Sequence, residues 1–453
     1  MNKFTFKRFL AIPLIAGLCM TSSFSHAMSL EEALITAYRN NPDLKAGRED
    51  LEATNEQLPQ AYSGFLPNLS ASYQKDRLRD KRGSGSWQYV DPETKALNLR
   101  QEVFNGGASI ANVKIADNRI KAARERLRRV EQQVMIRAVQ AYMDMVRAQE
   151  VLRLSMNNEK VLGEQLTAAR ERFRLGESTR TDVAQAESRL ARAKSDRIDA
   201  EGELTASKAE LQRALGVDNI DMTKIRMPDR KPILPTTFDE ALQRAMQYNP
   251  DLKETEFLAT AAEGTVNRNI ADLLPDVSVI GSMQRIDGTS AVRGTSIESD
   301  TIGVAVSVPI FQSGSEYSRV RQAKSNAANV RQQLVSSRNN TVENVTKSWE
   351  DIQTTRSIIE AQRAAVHAAK VALDGVREER EVGSRTTLDV LDAEQEHFLT
   401  QVNLVTAERN EIIAMYNLLA SMGQLTAQAI GLNVPYYNPE DHLEHVKFRF
   451  IGF

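Results

Sequence analysis

The chain has 453 residues, with 58 basic side chains against 60 acidic ones and a single cysteine, Cys19. So even a balance offers no general attraction to nucleic acid, and one cysteine builds neither a disulfide framework nor a thiolate metal site. Past residue 27 no apolar run reaches 18 residues, so any membrane crossing has to be made by strands.

The first 27 residues carry targeting chemistry. Lys3, Lys7 and Arg8 precede the apolar run Phe9 to Met20, and Ser25-His26-Ala27 offers small residues for cleavage. Residues 1–27 read as a secretory signal peptide, too short to span a bilayer. A lipoprotein signal on Cys19 is the rival, opposed by Leu18 where a small residue is wanted. Removal takes three cations, leaving 55 against 60 acids, a mature charge of −5 and no cysteine.

A tandem duplication follows. Ser29 to Gly47 matches Thr237 to Thr255 at an offset of 208, sharing EAL and NPDLK. From Phe104 and Phe311 the offset is 207, through Tyr142/Trp349 and Gly176/Gly383 to Gly216/Gly423. A period this long means a doubled architecture rather than a solenoid. The units are 28–236 and 237–453, the second carrying a tail, 424–453.

Each unit opens with an amphipathic helix interrupted at Asn-Pro, where Pro42 or Pro250 starts another helix that Pro67 or Pro275 ends. The period then drops to two. Alternation over 68–75 and 96–104, and over 276–286 and 301–311, predicts strands with one apolar and one polar face. Loop chemistry separates them at Arg82 to Ser86 and Gly288 to Ser296. Such strands have the roughly nine to eleven residues that cross a bilayer. Four cannot close a barrel when the smallest use about eight, so a membrane reading requires several chains to share one. Two soluble hairpins capping a helical bundle fit the pattern too.

After the strands, Ala108 to Leu175 and Ser315 to Val382 run without proline, each approaching about 100 Å as helix. Shorter helices return, giving hairpins over about 108–215 and 315–422. Leu127, Val130, Val134, Ala138, Ala141, Met145, Ala148 and Leu152 mark a narrow coiled-coil seam, suited to packing around a hollow. At the tips, RLGESTRTDV and EVGSRTTLDV place Gly176 and Gly383 as left-handed caps, and the following Ser/Thr and Asp residues start the next helix. The class is mainly α with a small β part. The basic run Arg119 to Arg129, with Glu125 interleaved, reads as a solvated helix face. His442 and His445 have metal-like spacing, but two histidines in a polar tail are more often no site. No phosphate loop, HExxH or nucleophile elbow is present, so neither an enzyme nor a cofactor is expected.

Together the duplicated EAL…NPDL, the strand ends VFNGG (Val103 to Gly107) and PIFQSG (Pro309 to Gly314), and the tips LGESTRTDV and VGSRTTLDVLDAE resemble the TolC family of outer-membrane factors, from about residue 29 to 423. The resemblance implies a homotrimer. Each chain would give four strands to a twelve-stranded outer-membrane β-barrel in contact with lipid, and long hairpins to a periplasmic α-barrel. It implies passage rather than catalysis, with an iris at the tips opened by an inner-membrane transporter, ABC or other, and its periplasmic adaptor.

By the same resemblance Asp389 and Asp392 match the family's aspartate ring at the constriction, which would favour cations and admit divalent block. Their i, i+3 spacing puts both on one helix face, a pattern that an ordinary acidic first turn shares. Arg385 matches the gate arginine, and Thr181 and Asp182 its partners on the other hairpin. Arg380 stands where the family has a tyrosine. Tips around Gly176 and Gly383 would dock the adaptor. The tail from Tyr436 to Phe453 is similar to endings of members that serve type I protein secretion, whereas a multidrug efflux outlet uses the same channel. A reading of another class is a non-pore periplasmic hairpin adaptor or scaffold.

Overall fold

The computed structural model describes residues 28–81, 85–221, 225–288 and 296–452. The expected signal peptide and most of both expected inter-strand loops lie outside these residues.

Each half begins with two short helices end to end, α1 (Leu30–Asn40) and α2 (Pro42–Asn55) in the first, α6 (Phe238–Tyr248) and α7 (Pro250–Ala271) in the second. The asparagine at each joint does two jobs. Asn41 caps α2 by accepting the Asp43 amide at 2.9 Å, and its amide group donates to the Ala214 carbonyl at 2.9 Å. Asn249 likewise accepts the Leu252 amide at 3.1 Å and donates to the Ser421 carbonyl at 2.9 Å. The return helix of each half is thereby clamped to the start of that half. One difference separates the copies. α7 is continuous, but Pro59 can donate nothing to the Asn55 carbonyl, so α2 stops there and a short α3 (Gln57–Tyr62) follows.

The strands form one antiparallel sheet in the order β1 (Asn68–Lys75), β4 (Glu93–Asn105), β5 (Asp276–Asp287), β6 (Ser296–Ser307). A two-stranded extension, β2 (Leu78–Asp80) with β3 (Gln88–Val90), projects from the first hairpin. The two halves are joined through β4 and β5, leaving β1 and β6 as edges among the described residues. Facing residues line up in rows. Leu69, Leu99, Gly281 and Ile302 share one row, with Ala71, Leu97, Met283 and Asp300 above, and below it Gln101, Val279 and Val304, then Phe104, Val277 and Val306. The opposite face carries Ser70, Asn98, Ser282 and Thr301, then Ser72, Gln284 and Ser299. The apolar face is bare: Ile302 is 86% exposed and Val304 67%. Four such rows, about 6.8 Å apart, span roughly 20 Å along the strand, most of a lipid-facing band of about 25 Å.

The second-repeat outer strand departs from the expected 301–311. It runs Ser296–Ser307, because β5 ends at Asp276, opposite Ser307, and offers no partner further on. Within residues 296–300 Ile297 is the single apolar side chain, too little for alternation to mark the segment as strand.

Helices α4 (Ala108–Arg174) and α8 (Ser315–Glu381) each hold 67 residues, and fold back as α5 (Arg180–Leu215) and α9 (Thr387–Ser421). The seam expected on α4 is buried over 134–146 but widens there: Met135, Val139, Tyr142 and Met143 join Val134, Ala138, Ala141 and Met145 in the core, leaving a stripe with Gln133 and Arg137 exposed. α1, the end of α9 and the tail around Leu425 to Val434 wrap this stretch into the main core. Tyr142, fully buried, places its hydroxyl 2.9 Å from the Met28 and Arg226 carbonyl oxygens. The two hairpins meet through a paired contact in which Arg409 of α9 donates to both carboxylate oxygens of Asp144 on α4. The basic run is a solvated face only in part: Arg119 and Arg126 are exposed, but several of its cations bridge to other elements. Arg126 and Arg129 bind Glu254 at 3.0 and 2.9 Å, and Arg124 binds Glu440 of the tail at 2.8 Å, forming an ionic seam between packed elements.

The tail carries a last short helix, α10 (Asp441–Val446), and runs back along α2 and α3. His442 faces Glu56, and His445 faces the carbonyl of Asp441 one turn back, so the two rings serve different partners. Among the described residues no group of three potential metal ligands gathers, and no helix is long and apolar enough to cross a membrane.

Candidate gate at the hairpin tips

Both tips are built by the same local chemistry. Gly176 and Gly383 each take φ +81°, a conformation that glycine adopts without a side-chain penalty. Gly176 donates to the Phe173 carbonyl at 3.1 Å and Glu177 to Arg172 at 2.8 Å; Gly383 and Ser384 repeat the pattern onto Arg380 and Glu379. These paired bonds satisfy the last carbonyls of the descending helix. The ascending helix then starts from a threonine. Thr179 and Thr386 accept the amides of Asp182 and Asp389, and those carboxylates accept the threonine amides at 2.9 and 2.8 Å.

Asp182 and Asp389 therefore hold their own helix starts. The bond from the Thr386 amide, then that from its hydroxyl, pulls the Asp389 carboxyl below its ordinary range. The Thr179 amide does the same for Asp182. Asp392, one turn along α9, has a different partner: Arg189 of α5 in the other hairpin, in a short ion pair. The two aspartates placed together by sequence are thus separated by chemistry, one in a cap and one in a cross-hairpin contact.

Arg385 does not meet Thr181 or Asp182 within the chain. It donates to Glu379 at 2.8 Å, on the other arm of its own hairpin, while Thr181 is exposed on α5. Residues that sequence reasoning missed join the hairpins instead. Leu391, 1% exposed, sits among Leu162, Leu166 and Ala169 of α4 and Ala186 and Ala193 of α5. Arg380 of α8 donates to Gln165 of α4 at 2.9 Å. Burial, and then the neighbouring Arg172, push the Arg380 guanidinium below its usual range. Arg377 meanwhile holds the buried Glu394 at 2.5 Å within the second hairpin. Two positions carried a sequence signal for these contacts: Leu391, an apolar residue between two aspartates, and Arg380, standing where the family has a tyrosine. The arrangement is a seat: one hairpin tip rests on the other through a leucine and two arginine contacts.

A sheet with an apolar outer face and free edges, joined to paired helices of about 100 Å, defines an outer-membrane channel with a long periplasmic body. The chain belongs to the outer membrane efflux protein family, whose model matches residues 34–217 and 241–424, one copy on each half. It is 31% identical to the outer membrane efflux protein BepC of Brucella suis, over 98% of this chain and 95% of that protein. It is 25% identical to outer membrane protein TolC of Escherichia coli, over 92% and 87%. It is 24% identical to the alkaline protease secretion protein AprF of Pseudomonas aeruginosa, over 90% and 87%. The fold is that of the Campylobacter jejuni CmeC outer membrane channel, with a TM-score of 0.79 at 19% identity over 93% of this chain and 90% of that one. The protein is an outer-membrane efflux channel of mainly α fold that spans the outer membrane and extends into the periplasm.

Proposed function

We propose that three copies of this chain close one twelve-stranded barrel and form the exit duct of a tripartite export machine. The observation that carries this is the sheet, with two edge strands, an apolar outer face and too few strands to close alone. An inner-membrane transporter, ABC or other, and its periplasmic adaptor deliver the cargo, the adaptor docking on the tips around Gly176 and Gly383. The iris is held shut by the seat of α9 on the first hairpin, with Arg385, Thr181 and Asp182 available for contacts between neighbouring chains. Asp389 and Asp392 supply the carboxylates at the constriction.

For cargo, type I secretion of unfolded protein is the preferred reading, supported by the tail and by similarity to AprF and to the proteases secretion protein PrtF of Dickeya chrysanthemi, 25% identical over 92% of this chain. Similarity to BepC, an outer membrane efflux protein, supports a multidrug efflux outlet as the second reading. Deleting the gene in its host separates them. Loss of secreted proteins with drug susceptibility unchanged supports secretion; rising susceptibility with an intact secretome supports efflux. For the duct itself, planar-bilayer recording of purified protein is expected to show small cation-selective steps blocked by a divalent ion. Folded, inserted protein that gives no pore would move the reading to a scaffold.

A further inference from the structure

The tail keeps climbing after it leaves the core. Tyr437 sits against Tyr38, Arg48 and Glu52, His442 against Glu56, and Leu443 against Leu58 and Tyr62. Phe448 then stacks on Tyr62 at 5.8 Å between ring centroids. Each successive tail residue meets one further along the rod of α2 and α3 toward the sheet. That rod ends at the sheet's foot, where the Phe65 carbonyl accepts a bond from Gln101 of β4 at 3.1 Å.

At this height the tail stops burying its apolar side chains. Val446 is buried, but Phe448 is 66% exposed and Ile451 92%, with Phe450 also open to the outside. Phe65, Leu66, Phe104, Ile310 and Phe311, at the same ends of the strands where the sheet meets the helices, are exposed too. Lys447 and Arg449 alternate with the aromatic residues. Aromatic side chains flanked by cations are the chemistry of a bilayer's headgroup boundary, where rings lie among upper acyl chains and cations reach phosphates.

We propose that residues 447–452 form an interfacial foot that inserts into the periplasm-facing leaflet of the outer membrane, with phospholipid as its partner. The foot braces the outside of the periplasmic body against the membrane beside the barrel. It rests on the reading of the sheet's apolar face as lipid-facing, and the test separates the two. In a Cys19→Ala background, single cysteines are placed by Ile451→Cys, Phe450→Cys, Ile302→Cys and Val382→Cys. Each carries a nitroxide, and the protein is reconstituted in phosphatidylethanolamine–phosphatidylglycerol vesicles. Collision with oxygen is compared with collision with a water-soluble nickel chelate.

The label at 302 should favour oxygen, and that at 382, on an exposed tip, should favour nickel. Labels at 450 and 451 should favour oxygen several-fold more than 382 does, at shallower depth than 302. Labels at 450 and 451 that behave like 382, or that are shielded from both reagents as in a contact between subunits, overturn the foot while leaving the barrel reading intact. A label at 302 that favours nickel overturns both.

Discussion

Arg189 makes Asp392, one of the two aspartates proposed for the constriction, half of an ion pair, and this changes what that aspartate can do. While the pair holds, Asp392 offers a passing cation a compensated charge and Asp389 a carboxylate already accepting the Thr386 amide. Arg189→Gln is therefore expected to raise cation selectivity and tighten divalent block a few-fold, read from reversal potential and block titration. Unchanged values would remove Arg189 from the constriction. The caps make a separate prediction about pH. Asp182 and Asp389 both have carboxyls held below the ordinary aspartate value of about 3.9 by their threonine amides first. A depressed folded-state value contributes stability above the unfolded value, lost as pH falls through the folded one. The tips should thus be insensitive between about pH 5 and 8 and loosen only in acid below the ordinary value. Exchange rates of the tip amides, corrected for intrinsic chemistry, test this; loosening near neutrality would contradict it.

Two joints decide how the helices behave as elements. At the tips, Leu391 is the apolar anchor of one hairpin on the other, and Leu391→Ala should cost about 2–4 kcal/mol of local packing. The visible result would be larger single-channel conductance with the barrel unaffected; unaltered conductance would mean that the seat does not hold the gate. At the opposite end of α9, Gly423 takes φ +75°, and a Cβ there would lie 2.1 Å from the Tyr248 carbonyl oxygen. Gly423→Ala should destabilise the α9–α6 joint by at least about 2 kcal/mol, adding a backbone clash to left-handed strain. A lowered thermal midpoint and lower yield in the outer membrane are the expected readouts, and a midpoint within error of the parent would refute the close approach.

For the whole molecule, the two faces of the sheet meet different solvents, and adjacent residues of β6 report on both. Ile302 lies in the apolar row and Thr301 in the polar one. A lysine facing lipid near mid-membrane costs about 2–4 kcal/mol, whereas one facing the lumen costs little. Ile302→Lys should abolish outer-membrane assembly, while Thr301→Lys assembles and shifts conductance. Equal tolerance of both would be incompatible with a lipid-facing band. The same logic governs the edges: β1 and β6 carry unpaired backbone groups on one side, intolerable in hydrocarbon, so other copies of the chain have to cover them.

The sequence by itself determined everything that depends on near neighbours. Helix, strand and tip follow from residues within a few positions: a 3.6 period without proline, a period of two, a glycine followed by threonine and aspartate. The duplication was equally legible, because it is written in letters. Tertiary structure alone decided which of these pieces meet. β4 pairs with β5 across the repeat boundary, and that register stops β6 at Ser307 and lengthens it into polar residues at Ser296. Residues 134–146 of α4 bury a face wider than one seam because segments far along the chain wrap them, a width that the seam residues by themselves did not mark. The gate shows the difference most clearly. Asp389 finds its partner three residues away, and its cap could be read from the motif. Asp392 finds Arg189 at a separation of 203 residues. A carboxylate's charge is evident from its letter, but what neutralises it depends on distance in space, which only the fold supplies.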